Sequence, residues 1–150
     1  MEIKRQQEQP DSAMRWEHFD HGADIGVRGI GRTPAQAFEQ AALALTAVVT
    51  EPAGVRLQET RRLECKASDL EALFYEWMNS VIFEMSAERL LFGYFAVNID
   101  GHHLMATLKG EAAVPERHQP AVEVKGATYT ELSVAQRSDG LWCAQCIVDV

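Results

Sequence analysis

The hydrophobic period changes along this chain, and that change does most to limit the folds open to it. Phe38, Ala41, Ala42, Leu45 and Val49 recur three and four residues apart, which puts them on one face of a helix. Just ahead, Thr33-Pro34-Ala35-Gln36 combines an N-cap threonine, a proline at the first helical position and a glutamine that completes a capping box. This helix ends before Glu51-Pro52. A strand is expected over Arg62 to Ala67, and a second capping box follows at Ser68-Asp69-Leu70-Glu71. Behind it Leu70, Leu73, Phe74, Trp77, Val81 and Met85 form another helical stripe, widened by Met78 and Ile82, and this second helix is expected to be the central one of the core. From Leu90 the period drops to two. Phe95, Val97 and Ile99, the turn Asp100-Gly101, then Leu104, Ala106 and Leu108 read as a hairpin.

Strands also account for the rest of the chain. Trp16 to His21 and Ile25 to Gly31 precede the first helix, while Val122 to Thr130 and Leu132 to Gln136 are extended segments beyond a loop at Glu116 to Pro120. Ser138-Asp139-Gly140 turns the chain into a last strand, Trp142 to Val150. The expected fold class is α+β, with two main helices packed on largely antiparallel β-sheet. Residues 1–14 are polar and without period, so they read as a flexible N-terminal extension, with one domain over residues 15–150.

Composition narrows the function classes. The formal net charge of −8 argues against unaided grip on a nucleic-acid backbone, where affinity comes from Lys and Arg displacing counterions. No apolar run approaches the roughly 20 residues that span a bilayer, and the first residues lack a signal-peptide core, so no membrane association and a cytoplasmic location are expected. Cys143 and Cys146 match C-x-x-C, but residues three apart in a strand point to opposite faces, which favours plain burial over a shared metal or a disulfide. His102 and His103 follow a turn and read as exposed, and His18 and His118 lack metal-ligand spacing. Trp77, Trp142, Phe74 and Phe92 sit on apolar stripes and read as core.

Two places hold residues with chemical potential. Asp20-His21-Gly22-Ala23-Asp24 sets two carboxylates and an imidazole beside flexible glycines, although a turn with Asp24 bonded to backbone amides explains the same residues. At the other end the Asp149 side chain and the Val150 carboxylate would share the end of a fastened strand, an arrangement that needs a compensating positive group. Lys125, within VEVKGATYT, is on the residues alone either a solvated edge-strand charge or a functional group.

Five runs in order carry a family resemblance: HFDHGADIGVRGIG from His18, EWMNSVI from Glu76, Gly110-Glu111, VEVKGATYTEL from Val122, and WCAQCIVDV from Trp142. Together they resemble the archease family over about Arg15 to Val150. The resemblance implies an α+β fold and a divalent metal site made by Asp24, Asp149 and a backbone or terminal oxygen of Val150. With oxygen ligands alone, Ca²⁺, Mg²⁺ or Mn²⁺ is favoured over Zn²⁺. It also implies an essential role for Lys125.

The function it implies is that of a non-catalytic partner of the tRNA-splicing RNA ligase. Such a protein promotes guanylylation of the ligase with GTP, supports multiple turnover, and meets RNA only through the ligase. Two other readings stand beside this one. One is a chaperone or specificity modulator of another RNA-modifying enzyme, such as a tRNA methyltransferase, to which the family has also been linked. The other is a small metal-dependent phosphohydrolase using Asp24 and Asp149, against which the lack of a visible general base or phosphate cradle counts.

Overall fold

Two antiparallel sheets enclose the first helix in a computed structural model that describes residues 13–150. The flexible extension expected over residues 1–14 lies, apart from Ala13 and Met14, outside the described residues. In chain order the elements are β1 (Arg15–His21), β2 (Asp24–Gly31), α1 (Pro34–Val49), a 3-10 turn (Pro52–Gly54), β3 (Glu59–Lys66), α2 (Leu70–Ala87), β4 (Leu90–Asp100) and β5 (His103–Ala112). They continue with a short helix α3 (Pro115–His118), β6 (Gly126–Ala127), β7 (Ser133–Gln136) and β8 (Trp142–Asp149). The expected α+β class is the observed one.

The larger sheet has the order β1-β2-β8-β6, and β7 joins β8 on the side it shares with β6. The smaller sheet runs β3-β5-β4. Two of the hairpins close through two residues with glycine in the left-handed region: Gly22 at φ +62° between β1 and β2, and Gly101 at φ +65° between β4 and β5. Any side chain there would meet the Cβ penalty of positive φ.

The core centres on α1 rather than on α2, the reverse of the expected arrangement. α1 touches β1, β2 and β8 of one sheet and β4 of the other. It buries nine residues against six for α2. The cause is side-chain size. Ala37, Ala41, Ala42 and Ala44 let the α1 backbone approach closely, and a Cβ on Gly29 of β2 would sit 2.1 Å from the Ala37 carbonyl oxygen and 2.2 Å from the Ala41 nitrogen. α2 brings the bulk instead, with Leu73, Phe74, Trp77, Met78, Val81 and Ile82 all buried. Trp77 donates its indole N–H to the Phe38 carbonyl at 3.1 Å, so the largest core side chain also satisfies its one polar atom.

Local signals fared unevenly. Thr33 caps α1 as expected, accepting from the Gln36 N–H at 3.1 Å, while the Gln36 side chain accepts from the Arg32 N–H rather than from Thr33 itself. α2 is capped by Asp69, not by Ser68: the Asp69 carboxylate accepts from the Ala72 N–H at 2.8 Å, as strong a cap one residue later. The expected loop at Glu116 to Pro120 holds a helical turn, Pro115–His118, closed by Gln119 at φ +48°. Of the extended run Val122 to Thr130, only Gly126 and Ala127 pair as strand.

Candidate functional site at the end of the β2–β8–β6 ladder

Three of the residues singled out in the sequence meet at one end of the larger sheet. β2 and β8 run antiparallel, with Ile25 opposite Val148 as the last pair of a ladder that begins at Gly31 and Trp142. One step further in that register sets Asp24, the first residue of β2, across from Asp149, the last of β8. On the other flank of β8, Gly126 pairs with Asp149 and Ala127 with Val148. The Lys125 N–H donates to the Asp149 carbonyl at 2.8 Å, so the Lys125 backbone lies directly beside Asp149.

Alternation sets the faces of β8, although Ile147, of the same parity as Asp149, is buried, so the exposure of Asp149 reflects its place at the strand end. Ala144, Cys146 and Val148 face the helices and are fully buried, and Val150, of the same parity, packs against the core cluster. Asp149 takes the opposite parity and is exposed, and Asp24 is half-buried. Lys125 is exposed as well. Among the described residues no ion pair and no side-chain hydrogen bond engages Asp24, Lys125 or Asp149. Like charges directly across a strand pair repel. The two carboxylates therefore sit where a cation would lower their energy.

Asn79, which sequence reasoning passed over, holds the Lys125 strand in place. Its side-chain oxygen accepts from the Ala127 N–H at 3.0 Å, and its amide donates to the Tyr75 carbonyl one turn back at 3.4 Å. Ala127 has its N–H on the flank away from β8, so without Asn79 that donor would have no partner. Asn79 lies off the apolar stripe, beside Ser80, and its poor helix propensity is the one local signal.

Asp24 and Asp149 offer oxygen donors, and His21, paired with Asp24 across β1 and β2, is the nearest imidazole in the register. Among the described residues no three His, Cys, Asp or Glu side chains cluster in a way that could hold a metal ion, so Asp24 and Asp149 would need oxygens of another kind to complete a coordination shell. The cysteines do not offer an alternative. Burial pushes the Cys146 thiol up to about 12 and raises Cys143 and Cys65 as well, so these groups stay protonated near neutrality. Cys143 and Cys146 occupy opposite faces of β8, as their spacing predicts.

A second polar cluster braces the segment that leads to Lys125. Glu111, at the end of β5, is 4% exposed; its carboxylate accepts from the Arg56 N–H at 2.7 Å and from His118 Nε2 at 2.9 Å, and forms an ion pair with Arg117. His118 Nδ1 accepts the Val114 N–H at 2.8 Å, which leaves Nε2 as the proton carrier toward Glu111. Thr50 donates its hydroxyl to the His118 carbonyl at 2.7 Å. Neither Glu111 nor His118 was assigned a partner from sequence, since seven residues separate them and the contact depends on α3.

The Arg117 guanidinium, helped by the Arg56 and His118 donors, holds the Glu111 carboxyl down to about 2. A depressed carboxylate contributes stability that is whole above its ordinary value near 4.5 and is lost as pH falls toward about 2. Thermal melts between pH 5 and 2 should therefore show a steep fall for the wild type. They should show a shallower one for Glu111→Gln, starting from a lower melting temperature at neutral pH. Parallel curves for the two proteins would remove Glu111 from the acid response.

Comparison with known proteins bears on the whole of this chain. The model of the archease protein family matches residues 16–150. The chain belongs to the archease family. It is 39% identical over 140 residues to the archease of Pyrococcus abyssi and 40% identical over 140 residues to that of Thermococcus kodakarensis, in each case covering 91% of this chain and 99% of the relative. In structure it is similar to protein 1598 of Methanobacterium thermoautotrophicum, with a TM-score of 0.79, 36% identity, and coverage of 90% of this chain and 98% of the other. It shares a fold, at a TM-score of 0.56 and 18% identity, with an archease from Thermotoga maritima described as a possible chaperone, covering 89% of this chain and 96% of that one. No helix among the described residues is long and apolar enough to cross a membrane.

Proposed function

We propose that the chain is an accessory factor that activates the GTP- and metal-dependent RNA ligase of tRNA splicing, promoting guanylylation of the ligase and its multiple turnover without turning over substrate itself. The observation that carries this reading is the meeting of Lys125, Asp149 and Asp24 on three adjacent strands, with their charges unpaired among the described residues. In this reading RNA is reached only through the ligase, in the cytoplasm, because a net charge of −8 disfavours direct contact with a polyanion.

Asp24, Asp149 and a Val150 oxygen are the groups that would hold a divalent cation. Oxygen donors suit Ca²⁺, Mg²⁺ or Mn²⁺. When bound, such an ion supplies charge neutralisation to phosphate oxygens. The protein's own part is geometric. The β2–β8 register fixes both carboxylates, Asn79 fixes β6, and Lys125 brings an ammonium group to the same end, where the ligase would meet it. A compact cation held there can neutralise charge that develops on a phosphate during guanylylation.

Asp24→Asn and Asp149→Asn should each weaken divalent binding at least about tenfold, since each keeps an oxygen and removes one charge. Neither should unfold the protein, because both positions reach solvent. Calorimetric titration with Ca²⁺ and Mn²⁺ tests this, and equal affinity in all three proteins would dissolve the proposed metal site. The partner is tested by pull-down. Recovery of a tRNA methyltransferase in place of the ligase would move the function to the other RNA-modifying enzymes.

A further inference from the structure

Tyr129 is 71% exposed, the most exposed of the large hydrophobic side chains, yet it is not loose. Its ring stacks on Tyr75 of α2 with centroids 4.2 Å apart and planes within 10° of parallel. One face of Tyr129 is thus covered and fixed, and the other is open to solvent. A ring that served only to pack against α2 would gain by turning that second face inward.

The placement of this ring relative to Lys125 follows from the backbone. Residues 125–130 run along β8, with the Lys125 N–H on Asp149, the Thr128 N–H on Ile147, and the Thr130 carbonyl accepting from Ile147. Lys125, Ala127 and Tyr129 lie two residues apart in this row, which bends at Tyr129 and turns at Thr130. α2 grips the row twice from one helix face, Asn79 binding Ala127 and Tyr75 stacking on Tyr129, since residues four apart on a helix are neighbours. Lys125 lies four residues before Tyr129, so their backbones are at most about 13 Å apart at roughly 3.3 Å per residue. A flat aromatic surface and a free ammonium group within that reach match the two ends of a nucleotide, a base and a phosphate tail.

We infer that the open face of Tyr129 is a stacking platform for a nucleobase, with Lys125 receiving the phosphate of the same nucleotide. This inference rests on the reading of Lys125 as a phosphate contact given above, and adds the base as the group recognised. Stacking on an aromatic ring tolerates every base, because each has a π-face. The acidic balance of the chain, with Glu76 and Glu131 close in sequence to the two rings, makes a free anion unwelcome. A nucleotide therefore arrives with a divalent cation. The same chemistry is offered by a free nucleoside triphosphate and by the terminal nucleotide of an RNA that the ligase holds.

The test is a set of calorimetric titrations in Mn²⁺ with three probes: GTP, a four-nucleotide RNA bearing a terminal phosphate, and tripolyphosphate, which has no base. Wild type should bind GTP or the RNA more tightly than tripolyphosphate, and the tighter of the two identifies the source of the base. Loss of a base–aromatic stack weakens binding by about five- to about 140-fold. Tyr129→Leu should show a loss in that range for the base-bearing probe and none for tripolyphosphate, while Tyr129→Phe stays within about twofold of wild type. Lys125→Ala should weaken all three probes. No binding by wild type, no preference over tripolyphosphate, or full affinity in Tyr129→Leu would each overturn the platform. Ligase stimulation measured on the same variants keeps the two ideas apart: stimulation that survives without any nucleotide binding refutes the platform and leaves the activator role standing.

Discussion

Lys125→Ala should abolish stimulation of ligase guanylylation while leaving the melting temperature within about 2 °C of wild type. The residue is exposed, and among the described residues its one hydrogen bond comes from its backbone N–H, which alanine keeps. Loss of the side chain therefore removes a positive charge from the Asp24–Asp149 end without touching the core. Lys125→Arg separates two roles for that charge. A point-charge contact with phosphate tolerates arginine, whereas a close, compact fit rejects its broader planar fork. Full stimulation by a well-folded Lys125→Ala protein would return the residue to the solvated surface.

Trp77→Ala is expected to be the most damaging single change to the fold. Trp77 is fully buried, packs edge-on against Phe95 with ring centroids 6.0 Å apart, and supplies the indole N–H that reaches the Phe38 carbonyl. Removing a buried tryptophan costs about 3–5 kcal/mol through lost transfer energy and the cavity left behind. That is a large share of the roughly 5–15 kcal/mol that holds a domain together. The melting temperature should fall by about 6–20 °C, at about 2–4 °C per kcal/mol. Trp77→Phe should lose clearly less, because most of the volume remains and only the N–H is given up. A shift under about 2 °C in Trp77→Ala would mean that α1 and α2 are not coupled through this residue.

These two residues mark the limits of what local pattern conveys. Trp77 was legible because helical spacing announces a buried face wherever it is sustained, and the caps before α1 and α2 set both starts to within a residue. The choice of Asp69 over Ser68 was not, since both can cap and only the packing of α2 selects between them. The central place of α1 was also hidden. Alanines carry little hydrophobic weight in a periodicity reading, yet their small size is what admits the helix between two sheets, over a glycine that leaves it room.

The site shows the same division. Asp24, Lys125 and Asp149 could each be named from the chain, but their meeting depends on the β2–β8 and β6–β8 registers, pairings across more than 100 and more than 20 residues. No local pattern encodes such a register. β6 itself is only Gly126–Ala127, and its outer flank is held by the Asn79 side chain rather than by a further strand. Glu111 and His118 went unpaired in sequence for a related reason: the helical turn of α3 that brings them together was read as loop.

The central claim is tested most directly by the rate of GMP transfer from GTP to the ligase, followed with and without this protein under limiting Mn²⁺. Substoichiometric addition should raise the rate of guanylylation and carry RNA joining past a single turnover per ligase. Guanylylation and turnover that are the same with and without the protein, across a titration to molar excess, would contradict the proposed role.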